Sequence, residues 1–513
     1  MLAAGAGQAQ PVETRSGAVE GEALDAVVRY LGIPYAAPPV GALRWKPPQD
    51  AQAWQGTLSA TRARSACAQF GNFYVSADPA TFDLPYGSED CLYLNVWVPA
   101  APAGPRPVLF FVHGGAGVAG MASYALYDAA RLSRETGAVV VTTNYRLGLF
   151  GAIHLPALHS GDPLADSGSY FLLDLIKSLD WVQHNIAAFG GDPGRVTLAG
   201  QSAGAVSVFA LARSPLAVGK FQRVISWSGL PFSASAAKAQ LRSEAFVQRL
   251  MQQDGSIGDA AQAPAQMQRL GAAGLRDYLY GKTAAEIIEA SKNEFWVPYL
   301  ADGTVLPAVA HTNPDADEDV AQVLGHVPVM LGKTRNEASM LLLPRYTRLD
   351  QKGQWALFNG RSTASRSAFF DFFPFLSYRV IGFFAERGVG SRIDKVSDSL
   401  AARGSPVYRY EFDWAAMPQP WRGLFGAFHG LDLAFVFGNF ITDTPDVAHF
   451  AWSADNAAGR EALHRRMVAV LRGFLEAGDP NLYRPPSAPV WEPWGQGRRR
   501  DTYRWEDSPD KGG

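Results

Sequence analysis

Between Val196 and Gly204 the chain passes from an apolar strand pattern through Gly200-Gln201-Ser202-Ala203-Gly204 into a helical pattern. A serine hydroxyl attacks a carbonyl only when it is held clear of the backbone and a base can take its proton. A tight strand-to-helix turn meets the first need. Small residues on both sides let the two arms pass, and Ser202 is forced into a strained conformation at a helix N-terminus, whose dipole favours negative charge. A second turn, His113-Gly114-Gly115-Ala116-Gly117, follows the apolar run Pro107–Val112. The N–H groups of Gly115 and Ala116, with that of Ala203, would converge on a developing oxyanion. The turn lacks the Lys-Ser/Thr ending of a phosphate loop and the acidic partner of a dinucleotide site.

Nucleophile-elbow chemistry requires an acid and then a histidine further along the chain. Glu337 stands six residues beyond Leu331, where a strand pattern ends. Downstream of it lie His429, His449 and His464. His464 sits beside Arg465 and Arg466 on what reads as a solvated helix face, and His449 falls in a polar, turn-rich loop. His429, in Gly426-Ala427-Phe428-His429-Gly430-Leu431-Asp432, has small neighbours that give a loop access to a crowded site. These assignments make Ser202 the nucleophile, His429 the base and Glu337 the group that orients it, a constellation for acyl transfer.

The elements that must hold these residues follow a repeating order. Strand patterns at 91–98, 107–112, 138–142 and in the elbow segment alternate with helical ones such as 171–186; later strands are expected at 223–226, 327–331 and 407–412. This order predicts an α/β architecture with a large, mostly parallel sheet and helices on both faces. We expect a loose lead-in over 1–20, one catalytic domain over 21–495 and a polar tail over 496–513. Helical cap insertions are expected near 233–292 and 340–400, on the sheet edge where such folds bind ligands. A last amphipathic helix is expected from about 461 to 475. Phe295, Trp296, Tyr299 and the run Phe369-Phe370-Asp371-Phe372-Phe373 suggest an apolar or aromatic pocket, although aromatic residues in cap helices are more often core.

The 513 residues are 47% hydrophobic and 18% charged, with a net charge of −2. That balance supplies no general attraction to nucleic acid or anionic membranes. The run Arg498-Arg499-Arg500 has Asp501, Glu506 and Asp507 beside it and reads as a solvated tail. No stretch carries the roughly 18 to 20 apolar residues of a membrane span. The start, Met1 to Gly7, lacks the basic and apolar regions of an export signal, and Ala3–Gln10 is compatible with the remnant of one. The nine histidines fall in no metal-binding spacing, and neither a metal nor a cofactor is expected. Cys67 and Cys91, the two cysteines, are open between a disulfide and two thiols.

Taken together, these residues resemble the type B carboxylesterases, the carboxylesterase and cholinesterase branch of the α/β hydrolases. Glu89-Asp90-Cys91-Leu92-Tyr93-Leu94-Asn95 is similar to one family signature. Phe189-Gly190-Gly191-Asp192-Pro193 through Gly204 is similar to the other. The likeness runs from Gly32-Ile33-Pro34-Tyr35-Ala36 to Gly478-Asp479-Pro480-Asn481. It implies an α/β-hydrolase fold, ester hydrolysis through an acyl-enzyme, the triad Ser202, Glu337 and His429, and a Cys67–Cys91 disulfide. It also implies structural ion pairs of Arg44 with Glu89 and Arg146 with Asp174. The implied disulfide in turn points to a periplasmic or secreted protein acting on a small ester. Amide, carbamate or thioester hydrolysis by the same triad, and a non-catalytic adhesion relative, stay open.

The sequence also departs from the family pattern. Ala116 and Gly117 stand where the oxyanion turn usually continues Gly-Phe. Trp227 replaces a usual Gln before Ser228-Gly229, and Phe171 begins the helix that usually starts with Gly. With Ala116 retaining its N–H, Gly117, Trp227, Phe295 and Trp296 become the candidate substrate wall. Thr81 occupies the region where cholinesterases carry a tryptophan for quaternary ammonium, which argues against choline esters.

Overall fold

The run Arg106–Val112 is a strand in which every side chain from Val108 to Val112 is buried. Val108, Phe110 and Val112 enter one hydrophobic core, and Leu109 and Phe111 enter a second. The two-residue period of the strand therefore feeds both faces, as a central strand must. The computed structural model describes residues 7–100, 104–292, 299–308, 324–360, 366–486, 488–495 and 502–506.

Among these residues, eleven strands form the main sheet. They are β1 (Gly7–Gln8), β2 (Glu22–Ala23), β3 (Val27–Pro34), β4 (Tyr93–Pro99), β5 (Arg106–Val112), β6 (Val139–Thr143), β7 (Gly191–Gln201), β8 (Arg223–Trp227), β9 (Val329–Thr334), β10 (Val407–Phe412) and β11 (Tyr503–Trp505). The spatial order is β1-β2-β3-β4-β6-β5-β7-β8-β9-β10-β11. From β5 onward the strands pair in parallel, whereas β1 to β4 add an antiparallel edge. The register pairs Val112 with Gly200, Gln201 with Trp227 and Trp227 with Gly332. The C-terminal ends of β5, β7, β8 and β9 thus reach one edge together. That edge is where an α/β sheet presents a site.

The helices needed below are α1 (Ala130–Thr136), α2 (Tyr170–Asn185), α3 (Ala203–Arg213), α4 (Ala236–Gln253), α5 (Ala263–Tyr280), α6 (Ala284–Ala290), α7 (Glu337–Tyr346), α8 (Phe372–Ala402) and α9 (Ala457–Ala477). Apolar residues of α2, α3 and α4 fill the first core, and those of α1 and α9 fill the second. The expected layering of helices on both faces is present. In the second insertion, Phe369 and Phe370 are buried, while Phe372 and Phe373 stay 61% and 77% exposed. The outward side of α8 continues with exposed Leu376, Val380 and Phe384. Its inward side borders a charged cavity of about 1210 Å³ that includes Lys333, Glu386, Arg409 and Glu411.

Three expectations need correction. The lead-in is not loose throughout, because Val12–Thr14 pairs with Gly17–Glu20, which in turn pairs with Thr57–Ser59, in a small sheet. The polar tail contains β11, which pairs with β10 and buries Tyr503 and Trp505 around Trp491. Three residues are too few to show a period, so alternating aromatics carried the only signal. His464 is fully buried and not solvated, with Nε2 2.7 Å from Glu135 Oε2 and Nδ1 2.6 Å from Phe435 O. Its helix packs that face on α1 instead of water.

Both expected ion pairs are present, Arg44 with Glu89 at 2.5 Å and Arg146 with Asp174 at 2.7 Å. Arg146 and Asp174 are both buried, and each matches the other with two hydrogen bonds from guanidinium to carboxylate. Cys67 and Cys91 form a disulfide across a sequence separation of 24. It closes the loop that carries Gln69, Phe73 and Tyr74 to the site edge. Replacing both cysteines by serine is expected to lower unfolding stability by about 3 kcal/mol, the loop-closure entropy restored to the unfolded chain. Denaturant titration of the two proteins under non-reducing conditions measures this.

Candidate active site

Ser202 follows β7 directly and has φ 56° and ψ −126°, a left-handed conformation that costs a non-glycine residue energy. The two glycines of the motif make the turn sterically possible. A Cβ on Gly200 would collide with the Gly204 backbone, and one on Gly204 would collide with the carbonyls of Val112 and His113. The Ser202 N–H donates to Trp227 O at 2.9 Å, and Val206 N–H donates to Ser202 O at 3.0 Å, so the strained residue is held from both sides. Beneath it the Tyr299 hydroxyl donates to Ala203 O at 2.7 Å. Ala203 opens α3, and the first N–H groups of a helix have no acceptor within it. Gly204→Ala is expected to destabilise the protein by about 1–3 kcal/mol through overpacking, read as a lower denaturation midpoint.

The turn after β5 runs through three left-handed residues in succession, Gly115 (φ 103°), Ala116 (φ 56°) and Gly117 (φ 71°). Val118 and Ala119 N–H both donate to Gly115 O, closing the turn on itself. His113 supports it from below. Its ring stacks on Tyr145 at 4.5 Å, and Nδ1 lies 2.8 Å from Gly114 O. Burial pushes the His113 imidazole down to about 4, which keeps it neutral beside the turn. Gln69, from the disulfide loop, brackets Gly120 with a hydrogen bond to its N–H and another to its O.

Glu337 begins α7 and His429 lies in the loop after β10; Asn336 ties the two together. Asn336 N–H donates to Ala427 O at 2.9 Å, and Ala427 N–H returns to Asn336 Oδ1 at 3.1 Å. His429 Nδ1 is hydrogen-bonded to Glu337 Oε2. The other oxygen, Oε1, accepts from Ser228 Oγ at 2.5 Å and from Thr334 N–H at 2.7 Å. Burial alone would raise the Glu337 carboxyl, but His429 and these donors outweigh it and hold the group below its usual range. Burial would lower His429, yet the facing carboxylate wins and raises it. The carboxylate and the imidazole thus favour each other's charged forms.

Further groups surround the pair. Gln201 Nε2 lies 3.1 Å from His429 Nε2. Asp432 is fully buried, accepts from Tyr410 OH at 3.0 Å and is pushed up to about 7 by burial and by Glu337. Glu386, on α8, accepts from the N–H groups of Glu337 and Ala338 at 3.2 Å each, and burial lifts it to about 7. His429 is expected to titrate above the ordinary imidazole value of about 6.5. Glu337→Gln removes the principal raising partner and leaves desolvation, the largest influence, against the Asp432 charge alone, so the midpoint should fall below that value. Proton NMR of the imidazole across pH reads both.

A cavity of about 290 Å³ contains Ser202, His429, Gly115 and Ala116 on its wall. Ala203 adjoins it as the residue after Ser202. Tyr124, Tyr127, Leu341 and Trp452 make its apolar sides. Gly117 and Trp227 are not among the lining residues. Gly117 instead offers its carbonyl to Gly148 N–H, and Trp227 packs on Phe111 in the second core. Phe295 and Trp296 lie outside the described residues, and of the Phe-rich run neither buried nor exposed members line the cavity. α7 contributes Met340 and Leu341 to it, whereas no residue of α4, α5 or α6 does. Sequence reasoning left Ser228, Gln201, Asp432 and Glu386 without a role. Only Ser228 had a signal of its own, a small polar residue at the same strand edge as Ser202. Among the described residues, no cluster of His, Cys, Asp and Glu is disposed to hold a metal ion.

The sequence profile of the carboxylesterase family matches residues 8–369 and 376–510. The chain belongs to the carboxylesterase family. It is 34% identical over 451 residues to the para-nitrobenzyl esterase of Bacillus subtilis (strain 168), covering 84% of this chain and 83% of that one. It is 33% identical over 485 residues to the fumonisin B1 esterase of Sphingopyxis macrogoltabida, covering 91% and 82%. The human cocaine esterase is 30% identical over 504 residues, with the same 91% and 82%. A solved Geobacillus stearothermophilus carboxylesterase superposes with a TM-score of 0.74 at 30% identity, over 97% of this chain and 96% of that one. The sheet described above is therefore that of an α/β hydrolase, and this carboxylesterase is a carboxylic ester hydrolase.

Proposed function

We propose that this carboxylesterase cleaves its ester through an acyl-enzyme on Ser202, with His429 as the base and Glu337 as the acid that orients it. The observation that carries the reading is the Glu337–His429 hydrogen bond, made on the wall of the cavity into which the elbow turns Ser202. With Nδ1 donating to a carboxylate, the proton sits on Nδ1 and Nε2 keeps its lone pair. The Gln201 amide N–H occupies that lone pair in the absence of substrate. As an ester enters, the Ser202 hydroxyl takes its place, and His429 accepts the serine proton as Oγ attacks the carbonyl carbon.

The tetrahedral oxyanion is stabilised by N–H groups of Gly115, Ala116 and Ala203. Collapse expels the alcohol, protonated by His429, and a water activated by the same imidazole releases the acid. Glu337 stays ionised throughout, as its lowered pKa requires. Tyr124, Tyr127, Leu341 and Trp452 favour an apolar or aromatic substrate, and nitrobenzyl and nitrophenyl esters are the first to test. The disulfide supports action in an oxidising compartment, the periplasm or the exterior.

Ser202→Ala is expected to lower kcat by about 10³- to 10⁶-fold, with the circular dichroism spectrum unchanged, and to abolish labelling by a fluorophosphonate. Labelling that persists in this variant would place the nucleophile elsewhere.

A further inference from the structure

The wall of the cavity that holds Ser202 carries one carboxylate, Asp446, and no Lys or Arg among the described residues. Asp446 is 4% exposed. Its donors are neutral: Tyr124 OH reaches Oδ2 at 2.5 Å, and Ala448 N–H reaches Oδ1 at 2.9 Å. Its own N–H is fixed on Asn359 Oδ1 at 2.8 Å, so the side chain is anchored where it stands. Aromatic rings crowd around it. Tyr124 is perpendicular to Tyr74 at 6.2 Å and nearly perpendicular to Tyr127 at 5.3 Å.

An ionised carboxylate taken from water is costly unless a cation accompanies it. The titratable bases nearby are His449, three residues on, and His429, which is engaged with Glu337. Burial raises Asp446 above the usual carboxylate range, and burial together with the Asp446 charge raises the Tyr74 phenol to about 12. Both shifts come first from burial, which at Asp446 the charge of His449 opposes but does not outweigh. The turn at Ala448 asks only for one acceptor oxygen, which an asparagine would supply without burying charge. Tyrosine faces and a desolvated carboxylate are together the surroundings that stabilise an organic ammonium.

We propose that Asp446, Tyr74 and Tyr124 form a subsite for a protonated amine carried by the ester substrate, within the cavity that holds Ser202. The substrate class is an otherwise apolar ester bearing a basic nitrogen, its ammonium N–H groups directed at Asp446 and its carbon skeleton along the rings. This deepens the esterase reading and rests on it for the word substrate; the binding of an amine does not depend on turnover.

The test therefore has a catalytic and a binding arm. In the first, n-hexylamine and n-hexanol compete with 4-nitrophenyl butyrate at pH 7.5, where the amine is protonated. In the second, the same two compounds are titrated calorimetrically into the Ser202→Ala protein. The ammonium is expected to bind about tenfold more tightly than the alcohol, or better. Asp446→Asn should bring that ratio to near one, and Tyr74→Leu should reduce it severalfold, which keeps the question answerable if the asparagine variant does not fold. Equal binding of amine and alcohol to the unsubstituted protein, or a ratio that survives both substitutions, would overturn the subsite. Hydrolysis of 4-nitrophenyl butyrate that persists in the Ser202→Ala protein, with Asp446-dependent amine binding intact, would overturn the proposed triad and leave the subsite standing.

Discussion

Everything at the reactive edge depends on how closely three pieces of backbone approach one another. β7 must turn into α3 within a single residue, and α3 must begin against the end of β5. With no Cβ at Gly200 or Gly204, the carbonyls of Val112 and His113 can lie where side chains would otherwise be. The strain at Ser202 is the result, and a row of hydrogen bonds across the sheet end sustains it. Ser202 leans on Trp227 O, Ser228 leans on Gly332 O, and the Ser228 hydroxyl then reaches Glu337. Asn336 carries the same row over to the His429 loop. The residues of the proposed triad and oxyanion turn, drawn from four separate parts of the chain, are thereby fixed relative to one main-chain turn.

Charge is distributed around this row with equal economy. Two further carboxyl groups, on buried Asp432 and half-buried Glu386, lie close enough to Glu337 for its charge to raise them. Glu337 alone is held below its ordinary range, since it faces the imidazole and takes two further donors. Asp432 and Glu386 are instead lifted to about 7. Desolvation penalises each separate charge, so the negative charge concentrates on the carboxylate with the best partners.

What could be read from sequence was whatever a local pattern encodes. The apolar run of β5, the strand-to-helix change at Ser202 and the small residues around His429 each carry their meaning within a few positions. Glu337 stands out by its distance past a strand, and it lies hydrogen-bonded to His429. What escaped was set by partners remote in sequence. His464 looked solvated because Glu135, which receives its ring, is 329 residues away. Ser228 acquires its contact only when β8 lies beside β9. Trp227 shows a subtler limit, because the strand period that places Ile225 in the second core places Trp227 there as well, behind the site and not in it. β11 was too short to have any period at all.

The helix α8 has an unusual attachment. Its last turns are anchored by Ile393, Val396 and Leu400 in the first core, but its first half meets the body mainly through Tyr378 and Glu386, above a charged and roomy cavity, with phenylalanines facing outward. That half packs on α7 through Tyr378 and Phe375 while its other side stays exposed, so local opening of its amides is expected to need less than global unfolding. Each such opening would withdraw Glu386 from the first two N–H groups of α7. The outer helix and the backbone that carries Glu337 are in this way joined through the Glu386 carboxylate.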